Sequence, residues 1–83
     1  MYMEIYPIIN GIYKHYKGGV YKVLFLSKHT ETDEILVNYK SLIFGSFHSR
    51  PLHVWNQTYL VNNTEAIAKF QLIESPSSVE PTI

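Results

Sequence analysis

The chain contains no cysteine, which removes disulfide staples, thiolate nucleophiles and Cys-based zinc sites and fits a reducing compartment. Neither sign of charge is in excess: seven Lys and Arg balance seven Asp and Glu. That balance makes nucleic acid an unlikely partner, because dedicated nucleic-acid binders are usually basic. No apolar run is long enough to span a bilayer, so no membrane partner is expected. Residues 1–10 lack the basic region and apolar stretch of a secretory signal. The Asn56-Gln57-Thr58 and Asn62-Asn63-Thr64 triplets are therefore read as chance, and a cytoplasmic location is expected. Glycine is scarce, and no Gly-rich phosphate loop, nucleophile elbow or His-Glu-x-x-His pair occurs. With no paired acid and base and no activated nucleophile, the chain reads as a non-enzyme without a cofactor.

Aromatic residues are plentiful: seven Tyr, four Phe and one Trp. A chain of 83 residues makes one domain with a modest core. Aromatic surface then favours stabilisation by association, and a homo-oligomer is expected. Charge is distributed unevenly. Lys14, Lys17, Lys22 and Lys28 face only Glu4 in residues 1–30, and Glu31, Asp33 and Glu34 follow at once.

Residues 1–10 form a lead-in arm that Pro7 keeps extended. Gly11–Tyr16 reads as a strand, and Lys17-Gly18-Gly19 as a hairpin turn, since glycine supplies positive φ without steric cost. Val20–Ser27 alternates Tyr21, Val23 and Phe25 with Val20, Leu24 and Leu26. Two apolar faces place this strand near the middle of a sheet. Ile35–Ser41 is a third strand, with Ile35, Val37 and Tyr39 on one face, which Leu42–Phe47 continues or bends at Gly45. Ser49-Arg50-Pro51 resembles the start of a helical turn, with Ser49 as cap and Leu52 and Trp55 sharing its inward side. Thr58–Val61 and Ala66–Ile73 are further extended pieces about an Asn62-Asn63 turn; a helical turn over Thr64–Phe70 is the weaker alternative. Residues 74–83 have the composition of a flexible tail. The expectation is a single mostly-β domain over 11–73, a small SH3-like partly open barrel of five or six short strands with one short helical turn.

Four histidines invite a metal reading, but His15, His29, His48 and His53 fit no strong ligand spacing. A more informative set is His15, Lys17, His29, Glu31, Thr32, Tyr39, Arg50 and Trp55. An Arg fork, His and Lys donors and a stacking aromatic are what a small anionic, nucleotide-like ligand requires. In the structural alternative, Arg50 pairs with Glu31 inside the barrel and the histidines bond to backbone. His15 and His29 leave opposite ends of the Gly11–Ser27 hairpin, so the two clusters need not meet within one molecule, and an interface between copies could join them.

The segment Gly11-Ile12-Tyr13-Lys14-His15-Tyr16-Lys17-Gly18-Gly19-Val20-Tyr21-Lys22-Val23 resembles the opening of the domain of unknown function 1653 family. Lys28-His29-Thr30-Glu31-Thr32, Val37 with Tyr39, and Arg50-Pro51-Leu52 match its later blocks in the same order. The resemblance covers residues 11–55. It departs where His53 and Trp55 replace an acidic residue and a Phe, and in a shorter loop before Arg50. It implies a short bacterial or phage protein with a compact β domain and supplies no established activity. The function expected from the residues is non-enzymatic binding of a small anionic ligand. By analogy with other short phage proteins, such a binder sequesters a host signalling nucleotide (an anti-defence role). The alternative is an SH3-like adaptor that holds a peptide in a groove of exposed Tyr and Trp.

Overall fold

The computed structural model describes residues 5–76. The elements follow as β1 (Ile12–His15), β2 (Val20–Lys28), β3 (Ile35–Ser41), β4 (Phe47–Pro51), α1 (Leu52–Trp55), β5 (Thr58–Val61), β6 (Glu65–Ala68) and β7 (Phe70–Glu74). The class is mostly β, with one short helix. Five strands form an antiparallel sheet in the order β4-β3-β2-β1-β7, and β5 and β6 form a separate hairpin. The sheet stays open, since its edges β4 and β7 do not pair with each other. Seven strands stand where five or six were expected, because the Ala66–Ile73 piece divides at Lys69. The Lys69 N–H leaves the ladder to donate to the Gln57 carbonyl at 3.0 Å. Of the expected tail 74–83, Glu74 ends β7, and residues from 77 onward lie outside the described residues.

Turn chemistry explains the connections. Gly18 takes φ +116° between β1 and β2, and the His15 N–H donates to the Gly19 carbonyl at 2.8 Å. Gly45 takes φ +75°, so the chain bends there instead of extending β3. Asn62 and Asn63 both have positive φ, 55° and 59°, in the three-residue turn between β5 and β6, where the Thr64 N–H donates to the Val61 carbonyl at 3.1 Å. That turn commits residues 65–68 to strand and removes the helical alternative.

Strand β2 is central, as its two apolar faces require. Its faces are not the simple alternation, however. The register with β3 passes from Val23↔Tyr39 to Phe25↔Asn38, leaving Leu24 as the extra residue of a bulge. Beyond it Leu26, not Phe25, lies opposite Val37 and packs on the core. Asn38 supports the bulge: its amide donates to the Phe25 carbonyl at 3.2 Å and to Ser27 Oγ at 2.9 Å.

The core is Tyr13, Val23, Val37, Tyr39, Leu52, Trp55 and Phe70. Trp55 stacks on Phe70 with ring centroids 3.9 Å apart, a contact worth about 1 kcal/mol beyond its burial. Leu52 and Trp55 share the inward side of α1 as expected. Ser49 does not cap that helix: it lies in β4, and its hydroxyl donates to Asn38 Oδ1 at 2.6 Å. Pro51 occupies the cap position, with no side-chain bond. Residues 5–10 are tied to the domain through Ile8 N–H to the Tyr13 hydroxyl (2.9 Å) and Asn10 N–H to the Val23 carbonyl (2.7 Å). No helix among the described residues is long and apolar enough to cross a membrane.

Candidate functional site

Register places the functional side chains. Tyr39 lies opposite His48 and Val37 opposite Arg50, so His48 and Arg50 project from β4 onto the core-facing side of the sheet. His15 lies opposite Phe70 on the same side. These residues meet around the Phe70 ring, with the His15 centroid at 4.7 Å and the Arg50 guanidinium carbon at 5.4 Å. The Arg50 Nε–H donates to the Tyr39 hydroxyl at 3.0 Å, and His48 stacks on Tyr39 at 5.4 Å.

Beside His15 the surface is cationic. Tyr16 stacks on Tyr59 of the β5–β6 hairpin, with centroids 4.3 Å apart. The ammonium groups of Lys17 and Lys69 lie 5.6 and 5.7 Å from the centre of that one Tyr16 ring. Lys69 is held by its own backbone: its carbonyl accepts the Tyr16 N–H at 2.8 Å, and its N–H goes to Gln57. A cavity of about 230 Å³ opens among Lys14, His15, Tyr16, Tyr59 and Lys69, and no carboxylate lines it. Burial pushes the His15 pKa down, and the positive charges of Arg50, Lys17 and Lys69 push it further. His15 Nδ1 accepts the Lys17 N–H at 3.2 Å, which leaves the proton of the neutral ring on Nε2, free to donate.

The eight residues singled out from the sequence therefore separate into three groups. His15, Lys17 and Arg50 converge. Tyr39 and Trp55 are 4% exposed and belong to the core, so neither offers a ring to a ligand. His29, Glu31 and Thr32 lie on the β2–β3 loop, where the His29 and Thr32 side chains hold its shape. His29 Nδ1 accepts the Glu31 N–H at 3.1 Å, and Thr32 Oγ1 accepts the Glu34 N–H at 3.2 Å. The Arg50–Glu31 pair of the structural alternative is not formed, because Arg50 turns to Tyr39 and Phe70. Tyr59 and Lys69 join the site unforeseen, and Tyr16 enters it as an exposed aromatic. Lys69 is a cation at a strand end, a signal readable in the sequence, whereas Tyr59 reaches the site only through the docking of its hairpin.

A family profile described as "protein of unknown function (DUF1653)" matches residues 11–72. The fold is similar to the crystal structure of a DUF1653 protein from Bordetella bronchiseptica, with 30% sequence identity, a TM-score of 0.67, and coverage of 84% of this chain and 92% of that one. No curated protein matches. With the family profile spanning β1 to β7 and a family structure sharing the fold, this chain belongs to the DUF1653 family of proteins of unknown function.

Proposed function

We propose that the protein is a non-enzymatic binder of a small anionic, nucleotide-like ligand, held in the cavity beside His15. The observation that carries this reading is the gathering of like charge. Two ammonium groups share the Tyr16 ring, and with Arg50 they press on a half-buried histidine. Like charges held together cost stability in the empty protein, and an anion relieves that cost. Lys17, Lys69 and the His15 Nε2–H supply donors to a phosphate, and the Tyr16–Tyr59 pair supplies a surface on which a base stacks. Sequestration of a signalling nucleotide by a small phage-type protein, acting as a homo-oligomer in the cytoplasm, is the setting that accords with such a binder. The SH3-like adaptor reading has less support: of the aromatics it would use, Tyr13, Tyr39 and Trp55 are buried, although Tyr16 is exposed.

The test is calorimetric titration of mono-, di- and cyclic nucleotides, with inorganic phosphate and free nucleosides as separate arms. At least one nucleotide is expected to bind more tightly than its nucleoside or phosphate alone. Lys17→Gln and Lys69→Gln are each expected to weaken it by about fivefold or more, one charge-assisted hydrogen bond being worth about 1.5–3 kcal/mol. Absence of binding by every nucleotide at millimolar concentration would refute the reading.

A further inference from the structure

The core side of the five-stranded sheet is covered by α1, which packs on β3 and β4, and the opposite side carries a different set of residues. Register determines what that side carries. Lys22 lies directly opposite Lys40, and Lys40 directly opposite Phe47. Lys14 shares the side, one strand over, opposite Val20. Strands β1 to β4 contain no carboxylate, and β7 contributes only Glu74, at its end. Like charges directly opposed across a ladder weaken a sheet, so the arrangement calls for an anionic counterpart.

Two flat rings stand among these lysines. The bulge at Leu24 turns Phe25 outward, leaving it 55% exposed, and Phe47 is 71% exposed. Both line a groove of about 290 Å³ together with Asn38 and Ser49. The Lys40 ammonium lies 5.5 Å from the Phe47 ring centre.

We propose that this side of the sheet binds single-stranded nucleic acid, with bases stacked on Phe25 and Phe47 and phosphates on Lys14, Lys22 and Lys40. Alternation of exposed rings with cations is the form of a single-strand platform. An acidic peptide would answer the lysines but gives flat rings no reason to be exposed, and a duplex hides the faces of its bases. The zero net charge does not oppose the proposal, because local potential governs binding. The balancing Glu31, Asp33 and Glu34 sit on the β2–β3 loop.

The test is fluorescence anisotropy of a labelled oligothymidylate of about ten nucleotides, beside a duplex of the same length and unlabelled polyglutamate as competitor. The single strand is expected to bind better than the duplex and to resist polyglutamate at equal charge. The logarithm of its affinity should fall against that of salt with a slope of about −2, from three lysines on a single strand. Phe25→Leu and Phe47→Leu keep the apolar bulk and lose the ring. Each is expected to weaken binding by about fivefold or more with an unchanged melting temperature. No anisotropy change at about 100 µM protein in low salt would overturn the proposal. So would duplex or polyglutamate binding as well as the single strand, or both leucine variants binding like the wild type.

Discussion

The Nε–H of Arg50, on β4, donates to the hydroxyl of Tyr39, on the neighbouring β3, at 3.0 Å. The two are diagonal neighbours, since Arg50 faces Val37 and Tyr39 faces His48. One hydrogen bond therefore joins the sheet edge to a buried core ring and holds the guanidinium against Phe70. A lysine cannot reproduce it, because its ammonium lacks the planar fork. Arg50→Lys and Tyr39→Phe are each expected to lower stability by about 1–2 kcal/mol, which for a domain of this size moves the melting midpoint by about 4–8 °C per kcal/mol. The double variant should lose less than the sum, as partners in one bond do. Additive losses in thermal melts would show that the bond contributes nothing.

The two glycines of the β1–β2 turn are constrained differently. Gly18 has φ +116° and open space around it, whereas a Cβ at Gly19 would collide with the Tyr21 ring folded over it. Gly18→Val is expected to cost about 1–3 kcal/mol through backbone strain alone. Gly19→Ala displaces Tyr21 from its edge contacts with Tyr39 (5.2 Å) and Phe70 (5.9 Å). The near-ultraviolet circular dichroism of the tyrosines should therefore change for Gly19→Ala and stay as in the wild type for Gly18→Val. The opposite pattern would mean that the ring does not rest on the turn.

His15 makes stability depend on pH. Burial first, then Arg50, Lys17 and Lys69, hold its folded pKa below the ordinary 6.5. Between those two values the unfolded chain binds the extra proton. The contribution is therefore fully present above about pH 6.5 and is lost as pH falls through the folded pKa. The melting temperature is expected to drop between about pH 7.5 and pH 5.5. His15→Gln should lose part of that drop, and a bound anion, by offsetting the three cations, should reduce it in the wild type. Parallel pH profiles for wild type and His15→Gln would exclude the contribution.

How much was legible follows particular residues. The Lys17-Gly18-Gly19 and Asn62-Asn63 turns are local chemistry: glycine and asparagine tolerate positive φ, so the hairpins are written in the residues that form them. The run Ile35-Leu36-Val37-Asn38-Tyr39 states its own buried side by period-two alternation, and β2 betrays its central place by being apolar on both sides. Phe25 was misjudged because a bulge shifts register without leaving a local mark; its cause is Asn38, thirteen residues away, binding the Phe25 carbonyl.

The sequence by itself determined a mostly-β domain, its principal turns, the inward Leu52 and Trp55, and the family, all properties of short segments or of patterns along the chain. Only the tertiary structure decided which polar residues share a site. His15, Arg50 and Lys69 come from β1, β4 and the β6–β7 junction, and the curling of the sheet, which is non-local, brings the first two to one ring although β4 and β7 are its opposite edges. The same tertiary structure leaves His29, Glu31 and Thr32 on the β2–β3 loop, away from that ring, and closes the core over Tyr39 and Trp55. Burial and strand order are long-range sums over the whole chain, and no single segment carries them.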